Sequence, residues 1–151
     1  MISTLACNIG RGLAAGVAGT AAMTVSSTVE AKLRGRPFSK TPAKAAEKVL
    51  GIKEFVSPAA EARFSNLVHW GYGTAWGAVR GLLGSTAQSP KAASAIHGAA
   101  VWGQAAVMLP LLGVAPPIGR WGGKEIAIDL FHHAVYATAT GIAYERLADG
   151  R

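Results

Sequence analysis

Three long stretches of this chain are almost free of charge. Residues 12–29 carry none, residues 64–84 carry only Arg80, and residues 92–119 carry none. A run of roughly 18 or more apolar and small residues, rising about 1.5 Å per residue, is long enough to cross the hydrocarbon core of a bilayer as a helix. A fourth apolar stretch, 126–144, is interrupted by Asp129, His132 and His133. The pattern predicts an all-α fold: an integral membrane bundle of four transmembrane helices over about 12–30, 64–83, 92–114 and 124–146. Residues 1–151 then form a single polytopic domain, with one basic amphipathic connecting segment between the first two spans.

Small residues recur at helical spacing inside the predicted spans. Gly12 and Gly16 form a small-xxx-small pair in the first, and Ala15 and Gly19 form another, offset by three. In the second, His69, Gly73, Gly77 and Gly81 recur every four residues, so they lie along one stripe. Ala99 and Gly103 make a similar pair in the third. Such stripes let backbones approach closely, and they mark helix-packing faces rather than lipid faces. Arg80, one turn from the end of its span, is expected to snorkel to the surface.

The connections carry helix signals of their own. Thr41-Pro42 predicts a helix start with Thr41 as N-cap, and Gly51 predicts its end. Ser57-Pro58 is a second start of the same kind. Pro110 is expected to kink the third span near its end, and Pro116-Pro117 to forbid its continuation.

Composition sharpens this picture. Charged residues are 15% of the chain, against about 25% in ordinary soluble domains. The 19 glycines would weaken helices in water, whereas in a bilayer the backbone must bond internally and helices persist. A soluble, Ala-rich helical bundle is the competing reading, kept open by a mean hydropathy of only +0.29. The net charge of +7 invites a nucleic-acid partner. The basic residues, however, concentrate between apolar segments as in cytoplasmic loops, and this argues against nucleic acid. Ten of the fifteen Lys and Arg fall in the first and third connections. The positive-inside rule then puts those connections in the cytoplasm and both termini outside. Cys7 is alone, which excludes an intramolecular disulfide and a thiolate metal motif. Arg11 followed by an apolar stretch also resembles a signal peptide, but that stretch is too long for a typical one.

Ionisable residues inside a membrane are costly and default to a functional hypothesis. Here the ligand or proton-site candidates are Glu30, His69, Glu125, Asp129, His132 and His133, with His97 in the opposite half of the membrane. Glu125, Asp129 and His132 share a face at helical spacing. Asp129-x-x-His132 has the spacing of carboxylate-bundle metal ligands but occurs once, which argues against a di-metal site. A mononuclear metal, or a haem between His69 and His132 or His133, is the cofactor alternative; the main reading needs no cofactor. No Gly-x-Ser-x-Gly elbow, Walker loop or Cys-x-x-Cys supports an enzyme.

Residues 109–117, Leu-Pro-Leu-Leu-Gly-Val-Ala-Pro-Pro, are followed by a span with Glu125 and His132 or His133 and then by Tyr144-Glu145-Arg146-Leu147. Over about residues 95–147 this resembles the C-terminal half of the YagU-type bacterial inner-membrane proteins. The resemblance implies an integral inner-membrane protein with a link to acid stress, and it carries over no catalytic residue. Two function classes follow. One is an accessory, assembly or stress-related membrane protein whose glycine faces pack against a partner helix or a second copy. The other is a proton-responsive or metal- or haem-binding protein built on the His/Asp/Glu cluster.

Overall fold

The computed structural model describes residues 2–37, 39–86 and 88–150. Among these residues it is all-helical: α1 (Ile2–Leu33), α2 (Thr41–Leu50), α3 (Pro58–Leu83), α4 (Pro90–Leu111) and α5 (Gly123–Ala148), with a single 3-10 turn at Ile118–Arg120. Three of the four long helices contain the expected spans, with the largest extension at the start of α1, whereas α4 starts two residues earlier than expected and stops at Leu111, short of residue 114. Ser57 and Ser89 cap α3 and α4, each side chain accepting from the backbone N–H three residues on, with proline at the first helical position. At α2 the expected cap is displaced. Thr41 is already helical, Lys40 precedes it without a side-chain cap, and the Thr41 N–H is met by Ser39 Oγ at 3.3 Å. Gly51 closes α2 at φ +68°, in the left-handed region that favours glycine. Pro110 lies two residues from the end of α4.

Sequence neighbours among the long helices run antiparallel. Helix α1 is the inner element: α3 packs along one of its faces and α5 along another. Helix α4 lies mainly on α5, and the short α2 leans on α3; in the connection between them the Phe55 ring lies 5.2 Å from that of Phe64, tilted by 45°. This arrangement gathers the 31–63 and 112–122 connections at one end of the bundle. The start of α1, the end of α3, the start of α4 and the end of α5 lie at the other.

Helices α1 and α4 are long and apolar enough to cross a membrane by length and composition. Helices α3 and α5 have the length, 26 residues each, but carry more polar side chains. The distribution of those side chains is inverted relative to a protein folded in water. The largest fully buried side chains are Arg80, His97, Thr20 and Thr140. Leu67, Val107, Leu111 and Phe131 point outward, Leu67 at 72% exposure and Leu111 at 80%.

Candidate functional site

The glycine stripes of α1 and α3 form one seam. A Cβ placed on Gly16 would lie 2.8 Å from the Thr74 carbonyl oxygen and 2.9 Å from the Gly77 Cα. One placed on Gly77 would lie 2.7 Å from the Gly16 Cα and collide with the Gly12 carbonyl oxygen. Gly12 in turn meets Gly81, and Gly81 meets the backbone of Asn8 and Ile9. The obstacles are backbone atoms, which cannot rotate away, so the helices sit this close only because these positions lack side chains. Gly73 leaves room for Thr20, whose hydroxyl donates to the Gly16 carbonyl at 2.7 Å. On the other face of α1, Gly19 receives Thr140 and Tyr136 of α5. The Tyr136 hydroxyl donates to the Gly73 carbonyl at 2.6 Å and ties α5 to α3. Gly103 was expected to join a packing face and does not: a Cβ there would meet nothing within 4 Å.

The six expected site residues do not converge on one point; they separate into three groups. The first is an ion-pair network at the end that gathers the long connections. Arg34 donates to Glu125 Oε1 at 2.7 Å and to Glu30 Oε1 at 2.9 Å, and Arg36 donates to both Glu30 oxygens. The bonds to Glu125 and then Glu30 push the Arg34 guanidinium above its usual range. Nearby, Lys40 pairs with Glu61 at 2.6 Å, which raises the Lys40 ammonium and holds the entrance of α2 against α3. His132 reaches the network's edge, with Nε2 at 3.8 Å from Glu30 Oε2.

The second group is a pair of imidazoles held by hydroxyls of α1. His69 Nε2 lies 2.8 Å from Thr24 Oγ1, and His132 Nδ1 lies 2.9 Å from Ser26 Oγ. Thr24 and Ser26 are two residues apart, hence about 200° apart around the helix. The two imidazoles therefore stand on opposite sides of α1 and do not face one another as a pair of haem ligands must. Among the described residues, no three His, Cys, Asp or Glu side chains come together as metal ligands would.

The third group is on the outer side of α5. Of the partners expected for Asp129, namely His133, His132 and His69, His133 comes within ion-pair distance of its carboxylate. Its Oδ2 also accepts from Trp102 Nε1 of α4 at 2.9 Å. His133 Nδ1 donates to the Asp129 backbone carbonyl at 2.8 Å and stands 3.6 Å from its carboxylate. Trp102 and His133 line a mostly apolar groove of about 680 Å³ between α4 and α5.

Two buried groups carry more structure than the sequence reading gave them. His97 is fully buried, with Nε2 3.0 Å from the Trp76 carbonyl and its ring 5.6 Å from that of Tyr136. Arg80 does not snorkel; it is fully buried. Its Nη2 donates to Glu145 Oε1, and its guanidinium carbon lies 4.4 Å from the centre of the Tyr144 ring. The signal was present in the sequence. Arg80 is three residues beyond Gly77, so it shares the face of α3 that packs inward.

No protein-family model matches the chain, and neither a curated protein nor a solved structure shows a match to it.

Proposed function

We propose that this chain is a multi-pass inner-membrane protein in which α1, α3, α4 and α5 all cross the bilayer, with both termini outside. It acts as an accessory or assembly protein that presents packed helix faces to a partner helix or a second copy. The observation that carries this reading is the inverted burial. A completely buried arginine, with large apolar side chains exposed along every long helix, is unusual in a water-soluble domain. In a bilayer that distribution is the favourable one, because polar groups face the bundle interior and apolar ones face lipid. It also accounts for the modest hydropathy of α3 and α5, whose polar side chains are spent on contacts inside the bundle: His69, Arg80, His132, Tyr136 and Thr140. The likeness of residues 95–147 to YagU-type proteins agrees with this location and with a role in stress.

The test is a reporter series in a bacterial host. Alkaline phosphatase fused after residue 150 should be active, and green fluorescent protein at the same point dark. Within 52–56 the two reporters should behave the opposite way. Fluorescence at the C-terminus reverses the orientation or removes one span. Recovery of the untagged chain in the supernatant after high-speed centrifugation, without detergent, makes it a soluble bundle instead.

A further inference from the structure

Four large apolar side chains stand uncovered at the end of the bundle that gathers the long connections. Leu33 is 83% exposed, Val49 63%, Leu50 64% and Val56 98%. Along the spans such exposure is met by lipid tails, but these four lie outside the expected spans, in or beside the 31–63 connection. That connection is also basic, with eight Lys and Arg against three Glu. Part of the charge is used within the protein: Arg34 and Arg36 go to Glu30 and Glu125, and Lys40 goes to Glu61. Lys32, Lys44, Lys48, Lys53 and Arg63 are exposed and make no ion pair among the described residues.

Helix α2 sets the two chemistries side by side. Ala43 marks its buried face. Val49 points about 120° round from Ala43 on one side. Lys44 and Lys48, four residues apart, share a face about 100–140° round on the other. The helix thus has a packed face, an uncovered apolar one and a basic one. The segment is also held at one level. Lys40 at its start bonds Glu61 at 2.6 Å, and Phe55 beyond its end lies 5.2 Å from Phe64. Glu61 and Phe64 are three residues apart, a rise of about 4.5 Å along α3. The nearly uncharged stretch of α3 begins at Phe64. Both ends of the segment are therefore tethered where that helix passes from water into the bilayer.

We propose that α2 and the residues after it, through Val56, form a docking surface for the anionic phospholipid headgroups of the bilayer in which the chain sits. Val49, Leu50 and Val56 enter the boundary between headgroups and acyl chains, and Lys44, Lys48 and Lys53 meet the phosphates. The proposal rests on the membrane reading above and adds a lipid preference to it. A basic amphipathic helix held beside a membrane span gains from both terms at once, apolar burial and attraction to anionic lipid. Lysine suits a mobile array of phosphates, because its ammonium is a point charge on a flexible stem that can lie along apolar surface. An acidic protein would match the lysines, but the apolar side chains are tethered at the height of the headgroups, where lipid is already present.

The experiment uses the full chain with Cys7→Ser and Val49→Cys, labelled at residue 49 with a polarity-sensitive fluorophore and reconstituted in nanodiscs. Emission should shift to the blue in phosphatidylglycerol discs relative to phosphatidylcholine discs, and the shift should shrink as salt is raised. In mixed discs that dock half of the labelled segment, Lys44→Gln and Lys48→Gln should each lower the docked-to-free ratio about fivefold. Lys91→Gln, at the other end of the bundle, should leave that ratio unchanged. Val56→Cys offers a second labelling point, 98% exposed, that keeps the test decisive if Val49→Cys disturbs α2. Equal emission in the two lipids overturns the proposal. So does a shift that survives both lysine substitutions or responds equally to Lys91→Gln. A chain that enters the discs while its label stays in water defeats this proposal alone and leaves the lysines to an acidic protein surface. A chain that stays outside the discs without detergent defeats the membrane reading, and this proposal with it.

Discussion

The α1–α3 seam makes a sharp demand on a single methyl group. In Gly77→Ala the new Cβ would lie 2.7 Å from the Gly16 Cα and 2.8 Å from the Gly16 nitrogen. Carbon atoms in contact prefer about 3.5–4.0 Å, so α1 and α3 must separate by roughly 1 Å at this level. A radial gap of ~0.5–1 Å forfeits about a quarter to a half of each atom-pair attraction along the seam. Together with the strain of overpacking, a loss of about 1–3 kcal/mol is expected. The same substitution at Gly71 and Gly103 introduces no contact within 4 Å. There the change should be neutral or stabilising by roughly 0.5–1 kcal/mol, since alanine is the better helix former. All three variants delete a glycine from a long helix, so composition, expression and detergent effects cancel in the comparison. The assay is reversible unfolding of the purified protein in mixed micelles, read by far-ultraviolet circular dichroism. Equal stability of Gly77→Ala and Gly71→Ala would refute the account of the seam. Gly77→Leu should fail to assemble, whereas Ala75→Leu, on the exposed side of α3, should fold.

Two further substitutions probe the polar contacts between helices. Trp102→Phe removes the donor to Asp129 and should cost about 1–3 kcal/mol; Asp129→Asn, whose amide oxygen can still accept from Trp102, should cost less, and a reversed order in chemical denaturation would show that the bond is not formed. Gly84→Ala places a Cβ 2.6 Å from Tyr144 Cε1, so Tyr144 must leave Arg80; the expected loss is about 1–3 kcal/mol, with a change in tyrosine fluorescence that should be absent if the ring already lies elsewhere.

Much of the helical frame was legible because its signals are local. Apolar run length placed four long helices, Ser57-Pro58 placed the start of α3, and Gly51 placed the end of α2. The seam was legible for the same reason: a four-residue glycine period on α3 and the Gly12/Gly16 pair on α1 each declare one face of one helix. What periodicity does not declare is which helix covers which face. Asp129 was matched with residues on its own helix or at its own depth, and of these His133 does stand 3.6 Å from its carboxylate. Its donor comes from Trp102, and only the packing of α4 on α5 brings the two together. His69 and His132 were grouped by depth. The structure divides them by the 200° between Thr24 and Ser26, a rotation that no count of residues along α3 or α5 could supply. Arg80 was judged by its distance from the helix end when its face, shared with Gly77, was the deciding variable.

The two small-residue pairs of α1 explain why that helix is the inner one. Gly12 and Gly16 clear the face toward α3, while Ala15 and Gly19 clear a neighbouring face about 60° away. Ala15 is fully buried, and Gly19 receives Thr140 and Tyr136 of α5. A helix with one such face packs closely on one neighbour; a helix with two can pack closely on two. Its C-terminal half then changes character, as Thr20, Thr24 and Ser26 replace glycine. Each hydroxyl bonds back to its own helix, to the carbonyls of Gly16, Thr20 and Met23. Thr24 and Ser26 also meet imidazoles of α3 and α5. The same helix therefore supplies close backbone contact at one level and polar partners at the next. His132 is buried and His69 half-buried, so the hydroxyls give each imidazole one partner where a lost hydrogen bond would cost about 1–3 kcal/mol. The order of residues along α1, small first and hydroxyl-bearing afterwards, is thus sufficient reason for both the glycine seam and the separation of the two imidazoles.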